Sequence, residues 1–291
     1  MTQMDSIPYL LRGVVPITTD SSLLVSSSKY LNHGRMRDWI AMICLRKNGS
    51  DFPPEAELVE GVAILEQLRN VDRIEDLFHQ ERKINPPLDE WFMEGFTSSP
   101  SKVADYQHFS PDTLGGMLFS QFVGRYEIQI IEDQWATPKS QYEFFKLRQV
   151  QNHDLEHILT GAGIDGLGEL VPSWFRLTNV PKFIRNQELA GELVIVHLIF
   201  ALRYMVRTLL HYPQVWFHAA DAIQRGMLAG RASDALFLKK MEPVLGMPLT
   251  EARAALGLRE VVDRDTSQAS AYWTGRAFTP PIVSGSSWNG I

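Results

Sequence analysis

Apolar residues along this chain recur at helical spacing. Leu58, Val62, Leu65 and Leu68 lie four, three and three residues apart, one face of a helix that opens after Pro53-Pro54. A second helix is predicted over 71–83. After the break at Pro86-Pro87, Leu88, Trp91, Phe92 and Phe96 predict a short aromatic helix. Ser110-Pro111-Asp112 reads as a helix start (a capping residue, then proline, then an acid), and Leu114, Leu118, Phe119 and Phe122 continue it as an apolar face. Thr137-Pro138 opens another helix, whose Tyr142, Phe145, Leu147 and Val150 lead up to His153. Residues 160–168, TGAGIDGLG, hold four glycines and require a turn. Helical patterns resume over 167–177, 187–210, 214–228 and 249–256, while strand-like alternation is confined to 126–131. The fold class is therefore all-α, a multi-helix domain preceded by a mostly helical N-terminal part. Residues 21–28, with five serines, read as an irregular arm. From 261 to 291 Ser, Thr, Gly and Pro accumulate around Trp273, Phe278 and Trp288, the composition of a tail with aromatic anchors.

The most apolar stretch, 189–202, contains Glu192 and His197 and ends at Arg203. A spanning helix needs roughly 20 mostly uncharged residues, so the stretch reads as a core helix. Leu193, Val196, Phe200 and Tyr204 on it are candidates for one wall of an apolar channel, with ordinary core packing as the commoner fate of such residues. The N-terminus, interrupted by Asp5 and Pro8, lacks the pattern of a signal peptide. With 45% hydrophobic and 21% charged residues, the chain has the composition of a soluble globular protein. Its 28 basic against 34 acidic residues give a net charge of −6, no general attraction for nucleic acid. The single cysteine, Cys44, excludes an intrachain disulfide and suits a reducing compartment.

The chemistry concentrates in HDLEHILTGAGIDGLGE, residues 153–169. His153 and His157 are four apart, so on a helix both imidazoles face the same way, one turn apart. Asp154 lies about 100° around the helix from His153. Glu169 follows the glycine-rich bend, which can fold the next helix back towards the pair. At this composition the two-histidine step alone is expected about 0.2 times per chain, and carboxylates at both further positions lower that to roughly 0.003. Two imidazoles with one or two carboxylates suit Zn(II), Fe(II) or Mn(II), zinc first. Two other metal readings exist. His153, Glu156 and His157 fit the H-x-x-E-H arrangement of a metallohydrolase with Glu156 as general base, but those enzymes carry substantial β-sheet; outside that reading Glu156 is a surface residue by default. His153-Asp154 also suits an HD-type phosphohydrolase, which would need further histidines such as His197 or His218.

The spacing H-D-x-x-H, then eleven residues, then E resembles the signature of the Coq-four family of ubiquinone (coenzyme Q) biosynthesis, with His153, Asp154, His157 and Glu169 matching position for position. Gly168-Glu169 followed by Trp174-Phe175, the segment 110–124 (SPDTLGGMLFSQFVG) and the segment 230–249 ending in Pro248-Leu249 also resemble the family. The likeness covers about 85–258, leaving 1–84 as an N-terminal extension and 259–291 as a C-terminal tail. The chain departs from the family at Met241 and Leu245, where aromatic residues are usual, and carries only Arg225 and Arg231 near Gly230, as a divergent member would. The resemblance implies an all-α domain with a divalent metal on His153, Asp154, His157 and Glu169, the same four acting in catalysis beside an apolar channel. It implies a polyprenylated hydroxybenzoate as substrate and loss of its ring C1 carboxyl group, through oxidative chemistry or otherwise. It further implies a homodimer, association with a membrane surface and contact with other quinone-biosynthesis proteins. The acidic charge argues for no nucleic-acid partner and the lone cysteine for a reducing compartment, so the expected location is cytoplasmic, with peripheral contact on the inner face of a membrane. An acidic chain needs a local basic patch for such attachment, and Arg203 with Arg207 is the candidate. The rival in another class is a non-catalytic isoprenoid-lipid-binding scaffold that organises quinone-biosynthesis enzymes.

Overall fold

The computed structural model describes residues 26, 28–45, 56–99, 103–122 and 137–271. Among the described residues there are eleven α-helices and no strand, so the all-α expectation holds. In chain order they are α1 (Gly34–Leu45), α2 (Ala56–Leu68), α3 (Val71–Arg82), α4 (Pro86–Glu94), α5 (Leu114–Phe122), α6 (Gln141–Leu159), α7 (Leu170–Phe183), α8 (Gln187–His211), α9 (Trp216–Ala232), α10 (Leu249–Leu256) and α11 (Ser267–Ser270). The periodic segments read from the sequence correspond to α2, α3, α4 and α6 to α10. The candidate strand 126–131, residues 21–25 of the serine arm, and Trp273, Phe278 and Trp288 lie outside the described residues.

Local chemistry sets the helix ends. The Asn70, Ser140 and Asn186 side chains each accept the backbone N–H three residues on, capping α3, α6 and α8. Two predicted starts move. The helix expected at Ser110 begins at Leu114, because Ser110-Pro111-Asp112 forms a turn and Thr113 Oγ1 accepts the Gly116 N–H at 3.2 Å. The helix expected at Thr137-Pro138 begins at Gln141, behind the Ser140 cap.

The helices α7, α8 and α9 pack on one another at the centre of the molecule. Gly226 and Gly230 allow α9 to lie directly on α7: a Cβ at Gly226 would stand 2.4 Å from the Val171 carbonyl oxygen, and one at Gly230 would stand 2.2 Å from Thr178 Oγ1. Beneath α7 the apolar core continues through Leu155, Ile158, Phe175, Met241 and Leu256, and on its other side through Phe78, Trp91, Tyr142, Phe145 and Leu189. Each such side chain, fully buried, contributes about 1.5–3 kcal/mol. The N-terminal helices join this core. The fully buried Glu81 carboxylate on α3 accepts the Arg185 and Asn186 N–H groups at 2.8 and 2.9 Å, fixing the α7–α8 turn. Glu66 on α2 accepts Tyr142 Oη at 2.7 Å and Lys146 Nζ at 2.6 Å from α6.

Among the described residues, α8 is the one helix long and apolar enough to cross a membrane. In the bundle it is a core helix, with Leu189, Leu193, Val194, Ile199, Ala201 and Tyr204 buried. The four channel candidates on it do not share a wall. Leu193 packs with the Phe78–Tyr142 cluster and Tyr204 with Leu170 and Val171, while Val196 and Phe200 pack near Trp39 and Ile64. The basic-patch expectation also fails. Arg203 and Arg207 are fully buried, and Arg207 Nε donates to the Ile43 carbonyl, so neither guanidinium can meet an anionic surface.

Candidate metal centre

The last two turns of α6, the bend after it and the start of α7 bring His153, His157 and Glu169 together. Their ligating atoms lie within 4.8 Å of one another, a grouping found by no other three His, Cys, Asp or Glu residues among those described. His157 is fully buried at the bottom, while His153 and Glu169 keep 37% and 28% of their side-chain surface exposed, so the site opens outward. His157 Nδ1 lies 2.9 Å from the Gly163 carbonyl oxygen. A carbonyl can only accept, so Nδ1 carries the proton and Nε2 turns its lone pair to the site. His157 Nε2 stands 3.3 Å from His153 Nε2, and Glu169 faces both histidines, Oε1 3.3 Å from His157 Nε2 and Oε2 3.4 Å from His153 Nε2.

These separations suit a divalent cation. An ion bound at about 2.0–2.1 Å with tetrahedral angles has ligand–ligand edges of about 3.3–3.4 Å. Two neutral imidazoles with one carboxylate form a three-protein-ligand set that leaves a fourth position for water or substrate. Asp154 is half-buried outside this trio, and its charge favours the protonated form of His157. Without a cation the cluster shares protons. Burial works against a charged His157, but the facing Glu169 carboxylate, the Asp154 charge and the Gly163 carbonyl together outweigh it and raise the imidazole above its ordinary value. Burial likewise opposes ionised Glu169, yet His157 and His153 hold it well below the usual carboxylate range.

Behind the trio lies a second polar layer that spacing alone did not reveal. Glu156, expected at the surface, is 1% exposed and pairs with Arg176 Nε at 2.6 Å. A carboxylate committed in this way to a buried guanidinium is not free to activate water, which removes the H-x-x-E-H reading. Arg176 also donates from Nη2 to the Gln149 carbonyl at 2.7 Å and from Nη1 to His197 Nε2 at 3.2 Å. A guanidinium only donates, so His197 carries its proton on Nδ1. Burial first, then the Arg176 charge, push His197 well below its ordinary value, and the charges of His153 and Glu169 also act on it. His218, the other histidine an HD-type site could recruit, is exposed on α9.

The architecture so defined is an all-α bundle with a His-His-Glu cluster at the junction of two helices. It matches, with a TM-score of 0.54, the crystal structure of a protein assigned to ubiquinone biosynthesis from Nostoc punctiforme PCC 73102, at 19% identity and over 76% of this chain and 93% of that one. At that identity the likeness establishes a shared fold. No family model matches the chain, and no curated protein matches it.

Proposed function

We propose that the chain binds a divalent metal, zinc first, on His153, His157 and Glu169, and acts as a ubiquinone-biosynthesis-type carboxy-lyase on a polyprenylated hydroxybenzoate. The observation that carries the reading is the trio itself: two imidazole nitrogens 3.3 Å apart, one Glu169 oxygen 3.3 Å from the first and the other 3.4 Å from the second, and one ligating atom from each residue all within 4.8 Å. The fold shared with the Nostoc protein supports the quinone pathway as context. A bound divalent ion would supply Lewis acidity, stabilising the negative charge left on the ring as the carboxyl group departs as CO₂ and a proton from solvent takes its place at C1. The protein does the rest. Gly163 fixes the His157 tautomer, Glu169 neutralises part of the metal charge, and Asp154, outside the ligand set, adds negative charge beside His157. Neutral His197, with its Nδ1–H unused, can donate to a substrate oxygen. The three protein ligands favour catalysis over the scaffold reading, which calls for a closed four-ligand shell.

Peripheral contact with a lipid surface or a second copy belongs to the same proposal, together with other quinone-biosynthesis proteins as partners. It is supported by exposed Leu209, Leu210 and Phe217 at the α8–α9 corner, the last of these 70% exposed. The deciding experiment pairs metal analysis of protein prepared without chelator with mass spectrometry of extracts from a strain lacking the gene. Bound metal and an accumulated prenylated benzoate that retains its carboxyl group support the enzyme. Metal-free wild-type protein, or an unchanged quinone profile, overturns it.

A further inference from the structure

The segment 261–271, read from composition as part of a tail, is built into the back of the metal centre. It crosses the glycine bend and is pinned at its start: Arg225 Nη1 donates to the Val262 and Gly161 carbonyls, each at 3.1 Å, and the Arg264 N–H donates to Gly161 at 3.2 Å. Gly161 has φ 79°, and a Cβ there would lie 2.5 Å from the Val262 carbonyl oxygen, so bend and segment are fitted backbone to backbone.

Further on, two buried hydroxyls converge on one carboxylate. Thr266 Oγ1 lies 2.9 and 2.8 Å from the two oxygens of Asp165, and Ser270 Oγ donates to the same group. Ser270 Oγ also accepts the Leu167 N–H at 2.9 Å. Thr266 is 1% exposed and Ser270 is 4% exposed, so both hydroxyls are committed to these contacts.

Asp165 in turn touches both sides of the trio. Its Oδ1 accepts the Gly168 N–H at 3.0 Å, and its carbonyl accepts the Glu169 N–H at 3.0 Å, which sets where the Glu169 side chain departs. Its Oδ2 lies 2.5 Å from where a Cβ on Gly163 would be, so the carboxylate rests on the residue whose carbonyl orients His157.

We propose that Thr266 and Ser270 are positioning residues of the metal centre, acting through Asp165 to hold His157 and Glu169 in their ligating orientations. The proposal rests on the metal-binding reading of the trio. Groups that orient a ligand from behind typically set metal affinity by 10–100-fold.

The test uses the full chain with Thr266→Val, Ser270→Ala and Thr266→Ser. Zn(II) affinity is read by competition with a chromophoric chelator, alongside the melting temperature of the metal-free protein. Thr266→Val is expected to weaken Zn(II) binding by about 10–100-fold, Ser270→Ala to weaken it by less, and Thr266→Ser to restore it. Wild-type affinity in both Thr266→Val and Ser270→Ala, whatever their melting temperatures, overturns the proposal. Should wild type take up no Zn(II), the metal reading fails on its own. The latch is then judged by hydrogen exchange at the Gly168 and Glu169 amides of metal-free protein. Faster exchange in Thr266→Val, or in Ser270→Ala if the first variant does not fold, supports the latch, and unchanged exchange overturns it.

Discussion

Arg176 and Glu156 form an ion pair at 2.6 Å with both side chains almost wholly buried, Glu156 immediately preceding the metal-site His157 on α6. Such a pair is valuable chiefly because neither charge can be left alone: removing one partner typically costs about 3–5 kcal/mol. Arg176→Ala is therefore expected to lower unfolding free energy by about that amount in chemical denaturation, more than any exposed arginine variant. Glu156→Gln, which keeps the shape, is expected to lose stability while retaining metal. Loss of metal with unchanged stability would assign Glu156 to the site instead.

His157→Ala removes the buried ligand and its Gly163 contact together. The expected outcome is protein with wild-type helicity by circular dichroism, no bound metal and no turnover. Retention of stoichiometric metal in this variant would remove His157 from the ligand set.

The histidines should separate by pH. His157 is raised above its ordinary 6.5 by Glu169, so its contribution to metal-free stability is complete below 6.5 and fades as pH rises through the folded value. Glu169 is depressed well below 4.5, so its contribution is complete above 4.5 and is lost only on stronger acidification. The pair therefore stabilises the metal-free protein most between about 4.5 and 6.5. His197 runs the other way: the folded state excludes its proton, and acidification below 6.5 favours unfolding there. Histidine proton resonances in metal-free protein should show one ring titrating above 6.5 and another staying neutral well below it. Zn(II) uptake near pH 7 should release protons, since ligating imidazoles must be neutral.

The α7–α9 contact makes a further prediction. Gly226→Ala and Gly230→Ala each place a methyl group inside contact distance of α7 atoms that belong to a packed core. Each is expected to cost about 1–3 kcal/mol, read from thermal unfolding, and to loosen the helix that carries Glu169 and Arg176. An unchanged melting temperature would mean that the helices separate without strain.

At the α8–α9 corner, Leu210→Ser with Phe217→Ser tests the lipid-surface reading. Loss of two apolar contacts, at about 0.8 kcal/mol per buried methylene, should lower retention on anionic vesicles by at least tenfold. Sedimentation with vesicles measures it, and equal binding would move the contact elsewhere.

Much of this was legible in the chain. Helical periodicity located α2, α3, α4 and α6 to α10, because each has one apolar face against a shared core. The four-residue step from His153 to His157 and the glycine bend before Glu169 placed the trio, because helix geometry fixes what one turn brings together. What stayed hidden joins elements far apart in the chain. Thr266 meets Asp165 across 101 residues, and Arg176 meets Glu156 from the next helix. No local period encodes such meetings. Glu156 and Arg203 also show that a charged residue without a visible partner in sequence can find one, or a buried place, once helices pack. The α8 residues Leu193, Val196, Phe200 and Tyr204 take the ordinary core packing expected of such residues, because a helix touched on several sides distributes its side chains among several neighbours.

The buried guanidiniums of α8 have a consequence for how this protein could meet a lipid phase. By length and composition the helix would suit a hydrocarbon slab, yet leaving the bundle would carry Arg203 and Arg207 with it, Arg203 only four residues from the helix midpoint, where an arginine costs about 2.5–3.5 kcal/mol. The two arginines thus act as ballast. They hold this long apolar helix inside the protein and leave its outward leucines, Leu198, Leu202, Leu209 and Leu210, free to wet against oil.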